Sequence, residues 1–541
     1  MKPRVLRFGI PLIIAAGCGL AIFWSEAPTQ GQVVPAKAAA EARSKPLSAL
    51  NCIGCHSGPD SEAYKAYAKE GRTDFIRLDE YRLWHEQDLH SRAFVNIVPN
   101  EKGLDGKTNL AWKMQEVLCL DKKRHDPAKD KHYRVDKAAE CLACHATAVA
   151  DEKPPRFHTA NGVSCEACHG SVDSKWLGEH LDPSWRDKPP TDKRTQYGQI
   201  DLRDPQTRAE RCASCHIGNK DEGKFVTHEM YAAGHPSLPA FEMAAYCRDQ
   251  PAHYKPANLI PELKNWPADK NREAAWKNFH YRPEELAEVR HLALGSVAAF
   301  RSSMKLLADE TEKLPSGELL DFAHFDCAAC HHDLKYPSDR QNRNQGIPGR
   351  PLMKAQTELL QTVLDHAGQQ QPTLKKMHEE MAEEMAQLRN SFDKRPFGEP
   401  ADVSALAKKL VVRSDELLRE MQSIVYTPEA TKALSDAFAQ RLRKLEAKDK
   451  NGKPASYLDR DSAQQLLWAW LAVRRERHGD KDSEALKQLG KILPLSVREK
   501  ENGLYPLKSV EDRLKNRGDI ESNYNSEAFL EAMDGLLKGM K

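Results

Sequence analysis

Apolar residues recur at three- and four-residue intervals along the last third of the chain. Leu406, Leu410, Leu417, Met421, Ile424 and Val425 fall on one such stripe. Leu466, Leu467, Trp470 and Leu471, with Ala472 and Val473 beside them, form another. This period predicts amphipathic helices rather than strands, whose side chains alternate every two residues. Ser526 stands ahead of Phe529, Leu530, Met533, Leu536, Leu537 and Met540, where an N-cap would precede a third apolar stripe. A helical bundle follows, with its charged faces read as solvated surface.

Upstream the pattern changes. From Pro46 to about Arg340 the chain is rich in Cys, His, Pro and Gly and has few long apolar periods. One long helix is predicted from Pro283 to Glu312, with Leu286, Val289, Leu292, Val297, Phe300 and Leu306 as its buried stripe and Pro283 in the favourable first turn. The rest reads as short helices and loops. Tyr336 to Pro351 is crowded with turn residues and reads as a linker. At the N-terminus, Lys2, Arg4 and Arg7 precede 17 uncharged, largely apolar residues from Phe8 to Trp24, and an Ala-rich stretch follows at Ala36–Ala42. Such a segment is an export signal or an uncleaved anchor, being near the lower limit of the roughly 17–25 residues that span a bilayer. Ala15-Ala16-Gly17-Cys18 faintly resembles a lipidation site. Three regions result: a targeting segment and tether at 1–45, a Cys- and His-rich region at 46–345, and a helical region at 346–541.

The charge balance adds little. Lys and Arg number 81 against 79 Asp and Glu, so the net charge of +2 points to no nucleic acid and no strongly charged partner. The cysteines add much more. Of 13, ten form five Cys-x-x-Cys pairs, each followed at once by His. The pairs are Cys52 and Cys55 with His56, Cys141 and Cys144 with His145, Cys165 and Cys168 with His169, Cys212 and Cys215 with His216, and Cys327 and Cys330 with His331. Two thiols three positions apart can each form a thioether with one haem vinyl group, and the adjacent imidazole can then ligate the iron. A structural zinc site wants four ligands, which five pairs do not supply evenly, and zinc leaves the recurring His unexplained. A dithiol redox motif has no reason to recur five times. The motifs therefore predict five covalent haem c groups. The expected fold class is mainly α: a multihaem cytochrome domain of short helices and loops packed around covalent haems at 46–345, followed by the helical bundle. Cys18, Cys119 and Cys247 are left over, and the last two could form a disulfide in an oxidising compartment.

Each six-coordinate haem iron also needs a distal ligand, for which His is the natural choice. Outside the motifs 16 of the 21 His remain, and 13 of those lie between His85 and His332, so counting alone assigns none. By context, His90 lies in a predicted helix, His158 precedes the third motif, His180 follows it after Trp176, and His228 and His235 flank a short segment ending in Gly234. His324 and His332 bracket the fifth motif, but His332 is too close to its own proximal His to reach the opposite haem face.

The segments Trp84–Ala93, Gly162–Gly170, His228–Glu242 and Cys327–Leu334 resemble the cytochrome c-552/c-554-like multihaem family. The resemblance covers roughly 46–345 and implies closely spaced, partly stacked haems with mostly bis-His iron. It favours His90, His180, His228 and His235, and to a lesser degree His158, as distal ligands. Its best-known members carry four haems, so the resemblance does not order five.

Two functions are open at this point. One is electron transfer through five haems between redox partner proteins of the periplasm or membrane, with the N-terminal segment as a route to the membrane. The other is an oxidoreductase acting on a small nitrogen or sulfur species at one five-coordinate haem. All five motifs end in His, so the Lys substitution that often marks a catalytic haem is absent, and transfer is the favoured reading. Tyr231 and Tyr246 lie near candidate ligands and keep the second reading open. A redox sensor or scaffold, with the C-terminal bundle as its interaction module, is a third and blander class.

Overall fold

The computed structural model describes residues 49–69, 77–100, 109–119, 134–147, 158–170, 175–182, 184–185, 188–254, 280, 282, 284–325, 357–395, 397–447, 458–479, 484–497 and 524–539. The N-terminal apolar run, the fifth motif and the segment from Tyr336 to Pro351 lie outside them. Among the described residues the regular elements are helical, and the strand-like feature is one isolated antiparallel bridge between Asn219 and Lys224. The mainly α expectation holds. No described helix is long and apolar enough to cross a membrane.

Up to Asp249 the helices are short, and four of them end on a motif histidine: Ile53–His56, Ala139–His145, Cys165–His169 and Pro205–His216. The last is the longest because its start is well specified. Asp204 accepts a hydrogen bond from the Thr207 backbone N–H at 2.9 Å, and Pro205 follows in the first turn.

The long central helix runs Ala287–Thr311, starting later than the sequence suggests. Leu286 is extended instead of helical, and its N–H donates to Tyr426 O at 2.9 Å, so tertiary pairing moves the start past Pro283. Val289, Leu292, Val297 and Phe300 are fully buried as expected, while Leu306 is only half-buried and Leu307 takes the inward position. Every residue from Leu292 to Arg301 is buried, so this stretch is enclosed on all sides. Pro205–His216 and Met243–Asp249 pack against it, and so does Pro400–Met421. Gly295 makes room for the second of these. A Cβ at that position would sit 2.3 Å from Met243 Cβ.

The remaining helices are Thr357–Gln370, Pro372–Lys394, Pro400–Met421, Pro428–Glu446, Arg460–His478, Glu484–Ile492 and Ser526–Gly539. Leu410, Leu417 and Met421 are buried as predicted, but Ile424 and Val425 lie beyond the helix end in the connection to Pro428. Arg460–His478 is buried without interruption from Ser462 to Arg474, far wider than its predicted stripe. In the last helix Asn525, not Ser526, is the cap. Its Oδ1 accepts from the Glu527 and Ala528 N–H groups at 3.0 and 3.1 Å.

One continuous apolar cluster runs from Ala209, on the fourth motif's helix, to Leu536 near the C-terminus. Polar ties cross it: Arg301 Nε donates to Asp415 Oδ1 at 2.5 Å, and Arg282 donates to Ile424 O at 2.6 Å. The motif-bearing helix and the C-terminal helices therefore share a core.

Candidate functional site

Helical spacing explains each motif's local form. Residues i and i+3 share one helix face, so both thiols of a pair point the same way and the histidine follows at the helix end. What the spacing cannot supply is a group opposite each histidine.

The folded chain supplies one at each of the four described motifs. The ring of His56 faces His180 with centroids 6.4 Å apart. His216 faces His90 at 6.1 Å, His145 faces His235 at 6.3 Å, and His169 faces His253 at 6.3 Å. Two metal–imidazole bonds of about 2.0 Å, with about 1.2 Å from each nitrogen to its ring centre, put two axial imidazoles about 6.4 Å apart. The four observed separations match that span.

The ring nitrogens point to the same use. Nδ1 of His145 donates to Ala93 O at 2.9 Å, that of His180 to Leu177 O at 2.5 Å, and that of His235 to Pro236 O at 2.7 Å. His253 Nδ1 donates to Pro251 O at 3.1 Å. A carbonyl oxygen only accepts, so in these four rings the proton is on Nδ1 and the lone pair is on Nε2. His56 and His90 turn Nδ1 to carboxylates instead, Glu80 Oε2 and Asp88 Oδ1, each at 2.8 Å. Anchoring one nitrogen orients the other and makes it a better ligand. Burial pushes His169 down to about 4 and His216 down to about 3, so both imidazoles are neutral at pH 7 and have a lone pair to give. Burial lowers His145 and His180 as well, against their backbone hydrogen bonds, which favour the charged form. His56 is raised: burial opposes its charge, but the Glu80 carboxylate outweighs it. Asp88 is held at about 2 by its bond to His90, against the cost of burial.

The sites adjoin in an order that differs from the sequence. Cys52 hydrogen-bonds with Cys165, joining the first motif to the third. Arg211, on the fourth motif's helix, donates to Ala167 O of the third at 2.5 Å. Cys144 hydrogen-bonds with Cys215, joining the second motif to the fourth. Backbone bonds brace this arrangement: Val163 N–H donates to His90 O at 2.9 Å, and Ile200 N–H donates to His169 O at 2.9 Å. Gly162, at φ +63°, lets the chain pass there, because a Cβ would lie 2.5 Å from His90 O.

The eight described motif cysteines are half-buried thiols in no disulfide, but they are not placed alike. Burial raises Cys168 and Cys212, so both stay protonated at neutral pH. The two thiols of the first motif are placed differently. Cys52 takes the contact to Cys165, whereas the contact shown for Cys55 is local: its backbone N–H donates to Cys52 O at 3.2 Å. The reason lies in the spatial order of the motifs. Among the four described motifs the first stands at one end of the row, and Cys52 is its thiol that meets a neighbouring described motif.

His90, His180 and His235 thus stand opposite motif histidines. His158 is exposed and faces no motif histidine among the described residues. His228 is held beside the approach to the fifth motif. Its backbone N–H donates to Asp321 Oδ1 at 2.8 Å, and its ring meets Phe322 edge-on at 5.6 Å. Cys327, Cys330 and His331 lie outside the described residues. His253 was not anticipated. Nothing in its local sequence separates it from the other surplus histidines, and only its position across from His169 does so. Glu80 and Asp88 were also missed, although an acid two residues before His90 was a readable signal.

The C-terminal helices back the fourth site. Phe241 stacks on His216 at 6.4 Å and Tyr246 meets its edge at 4.8 Å. Behind them, Gln465 donates to Phe241 O at 2.9 Å and Trp468 packs on Tyr246 at 6.4 Å.

The alternatives for the cysteines fare less well. No group of three or more His, Cys, Asp or Glu among the described residues is arranged to hold a bare metal ion, against the zinc reading. Cys247 is a reduced thiol facing Arg208 Nη1 at 3.7 Å, so the disulfide it could have made with Cys119 is not formed. Its helix turns it inward against Pro205–His216.

Residues 107–170 match the family described as cytochrome c554 and c-prime. The match spans the second and third motifs and includes Gly162–Gly170, one of the segments that carry the resemblance. No curated protein and no solved structure matches the chain.

Proposed function

We propose that the chain is an electron-transfer cytochrome of the c-552/c-554-like kind and that it carries five covalent haems as a conduit between redox partner proteins outside the cytoplasm. The observation that carries this reading is the set of four facing histidine pairs, each at the span of a bis-imidazole iron. His56 with His180, His145 with His235, His169 with His253 and His216 with His90 would hold four irons, and the paired cysteines beside them would hold the porphyrins. Haem c supplies a centre that accepts and releases one electron without a change in its covalent attachment.

The protein's own residues keep these sites fixed. Backbone carbonyls, Glu80 and Asp88 lock six of the eight imidazoles in orientation, so little rearrangement accompanies a change of charge. The contacts between the four described motifs support the spatial order first, third, fourth, second. His228 to Ala232 is one short helix, and His235 follows it closely, so these two histidines are neighbours along the chain. The basic, then apolar, N-terminal segment supports export and a tether to the membrane.

His56 with His180, His145 with His235, His169 with His253 and His216 with His90 would each occupy both free positions of an iron held between them. Catalysis on a small nitrogen or sulfur species would then be confined to the fifth motif. Mass spectrometry of the purified protein tests the haem number, with five covalent haems expected. Low-temperature electron paramagnetic resonance tests the ligation. Low-spin ferric signals throughout are expected, and a high-spin signal from one haem in five would overturn the pure conduit.

A further inference from the structure

The helix Pro205–His216 carries a guanidinium whose partners among the described residues are all neutral. Arg208 Nε donates to Leu202 O at 2.6 Å, and Nη1 lies 3.7 Å from Cys247 Sγ and 3.5 Å from the Tyr254 hydroxyl. Its guanidinium also lies 4.9 Å from the Tyr254 ring centre. Burial pushes the Cys247 thiol up, so it stays protonated at neutral pH and offers no counter-charge. No described carboxylate forms an ion pair with Arg208. Its neighbours differ: Arg211 pairs with Glu222 at 3.5 Å, and Arg301 pairs with Asp415. Arginine cannot shed its proton in a protein, and a charge set among protein atoms needs an opposite charge nearby.

The position says where that charge would come from. Tyr254 follows His253, whose ring stands across from His169, and the Arg208 charge is among those acting on His169. Each haem carries two propionate carboxylates, and a guanidinium fork is the side chain best shaped to take one. We propose that Arg208 is the counter-ion of a propionate on the haem held between His169 and His253, and that its charge raises that haem's reduction potential. Reduction adds one electron to the iron and moves no proton, and a fixed positive charge beside the centre favours the added electron. This inference rests on the haem assignment proposed above.

The test is a potentiometric titration, followed by visible absorption, of the five-haem protein and of its Arg208→Gln and Arg208→Lys variants. In Arg208→Gln one of the five midpoints is expected to move to lower potential while four stay. In Arg208→Lys that midpoint is expected to stay near the wild-type value, because the charge is kept. Arg208→Met, close in length, replaces the glutamine variant if that one does not accumulate. Five unchanged midpoints in the neutral variant would overturn the inference. So would an equal shift in the lysine variant, which would mean that shape rather than charge matters. If the wild-type protein carried no covalent haem, the reading beneath it would fail as well. Unchanged midpoints in a protein with five low-spin haems would sink this inference alone.

Discussion

His253 and His158 show how far a single residue can be read from its neighbours. Both lie in the Cys- and His-rich region, and the stronger sequence argument favoured His158, which sits just before the third motif. In the folded chain His158 is exposed, whereas His253 faces that motif's His169 at 6.3 Å and is anchored to Pro251 O. Ligation depends on which side of a plane a ring occupies, and sequence distance says nothing about that. His253→Ala is therefore expected to turn one low-spin haem in five high-spin in the paramagnetic resonance spectrum. His158→Ala is expected to leave the spectrum unchanged. The reverse pattern would sink the assignment. The motif cysteines needed no such help, because thiol, thiol and imidazole lie within five consecutive residues.

At the scale of elements, the short helix Met243–Asp249 is held from two sides. Glu242 caps it, accepting from Ala244 and Ala245 N–H at 3.0 and 2.7 Å, and Gly295 opens the notch into which Met243 fits. Burial raises Glu242 to about 7 from an ordinary value of 4.5, with the two capping N–H groups opposing that rise. The folded protein thus keeps a proton that the unfolded chain releases, so stability is highest below about pH 4.5 for this group, falls toward pH 7 and then levels off. The loss is on the order of 3 kcal/mol at 1.36 kcal/mol per pH unit. Denaturant unfolding at pH 5 and pH 8 is expected to show that decline in the wild type and a flatter profile in Glu242→Gln. Equal slopes in the two proteins would refute it. The sequence pattern announced the long central helix but not its start. Leu286 bonds to Tyr426 O, a partner 140 positions away, and no local propensity contains that information.

For the whole molecule, the sequence divides at the turn-rich linker, while the apolar core does not. Ala209 and Ala213, on the fourth motif's helix, belong to the same cluster as Leu466, Trp470 and Leu536. Phe241 and Tyr246 connect His216 directly to Gln465 and Trp468 of the C-terminal helix. A chain ending at residue 345 would expose the buried face of Ala287–Thr311, which packs on Pro400–Met421. Such a truncation is expected to lose cooperative thermal unfolding and to accumulate poorly, as followed by circular dichroism and haem content. A truncated chain that unfolds as sharply as the full one would show instead that the first region is self-sufficient.

Local chemistry was decided by the sequence alone. Each of the five motifs places two thiols and an imidazole within five residues, so the cofactor it would bind is legible locally, and helical periods show because each helix repeats its own apolar face. Which histidine faces which motif histidine, the spatial order of the four described motifs and the shared core were decided only by the tertiary structure. Those depend on contacts between segments tens to hundreds of residues apart, and such contacts are set by the packing of the whole chain rather than by any stretch of it.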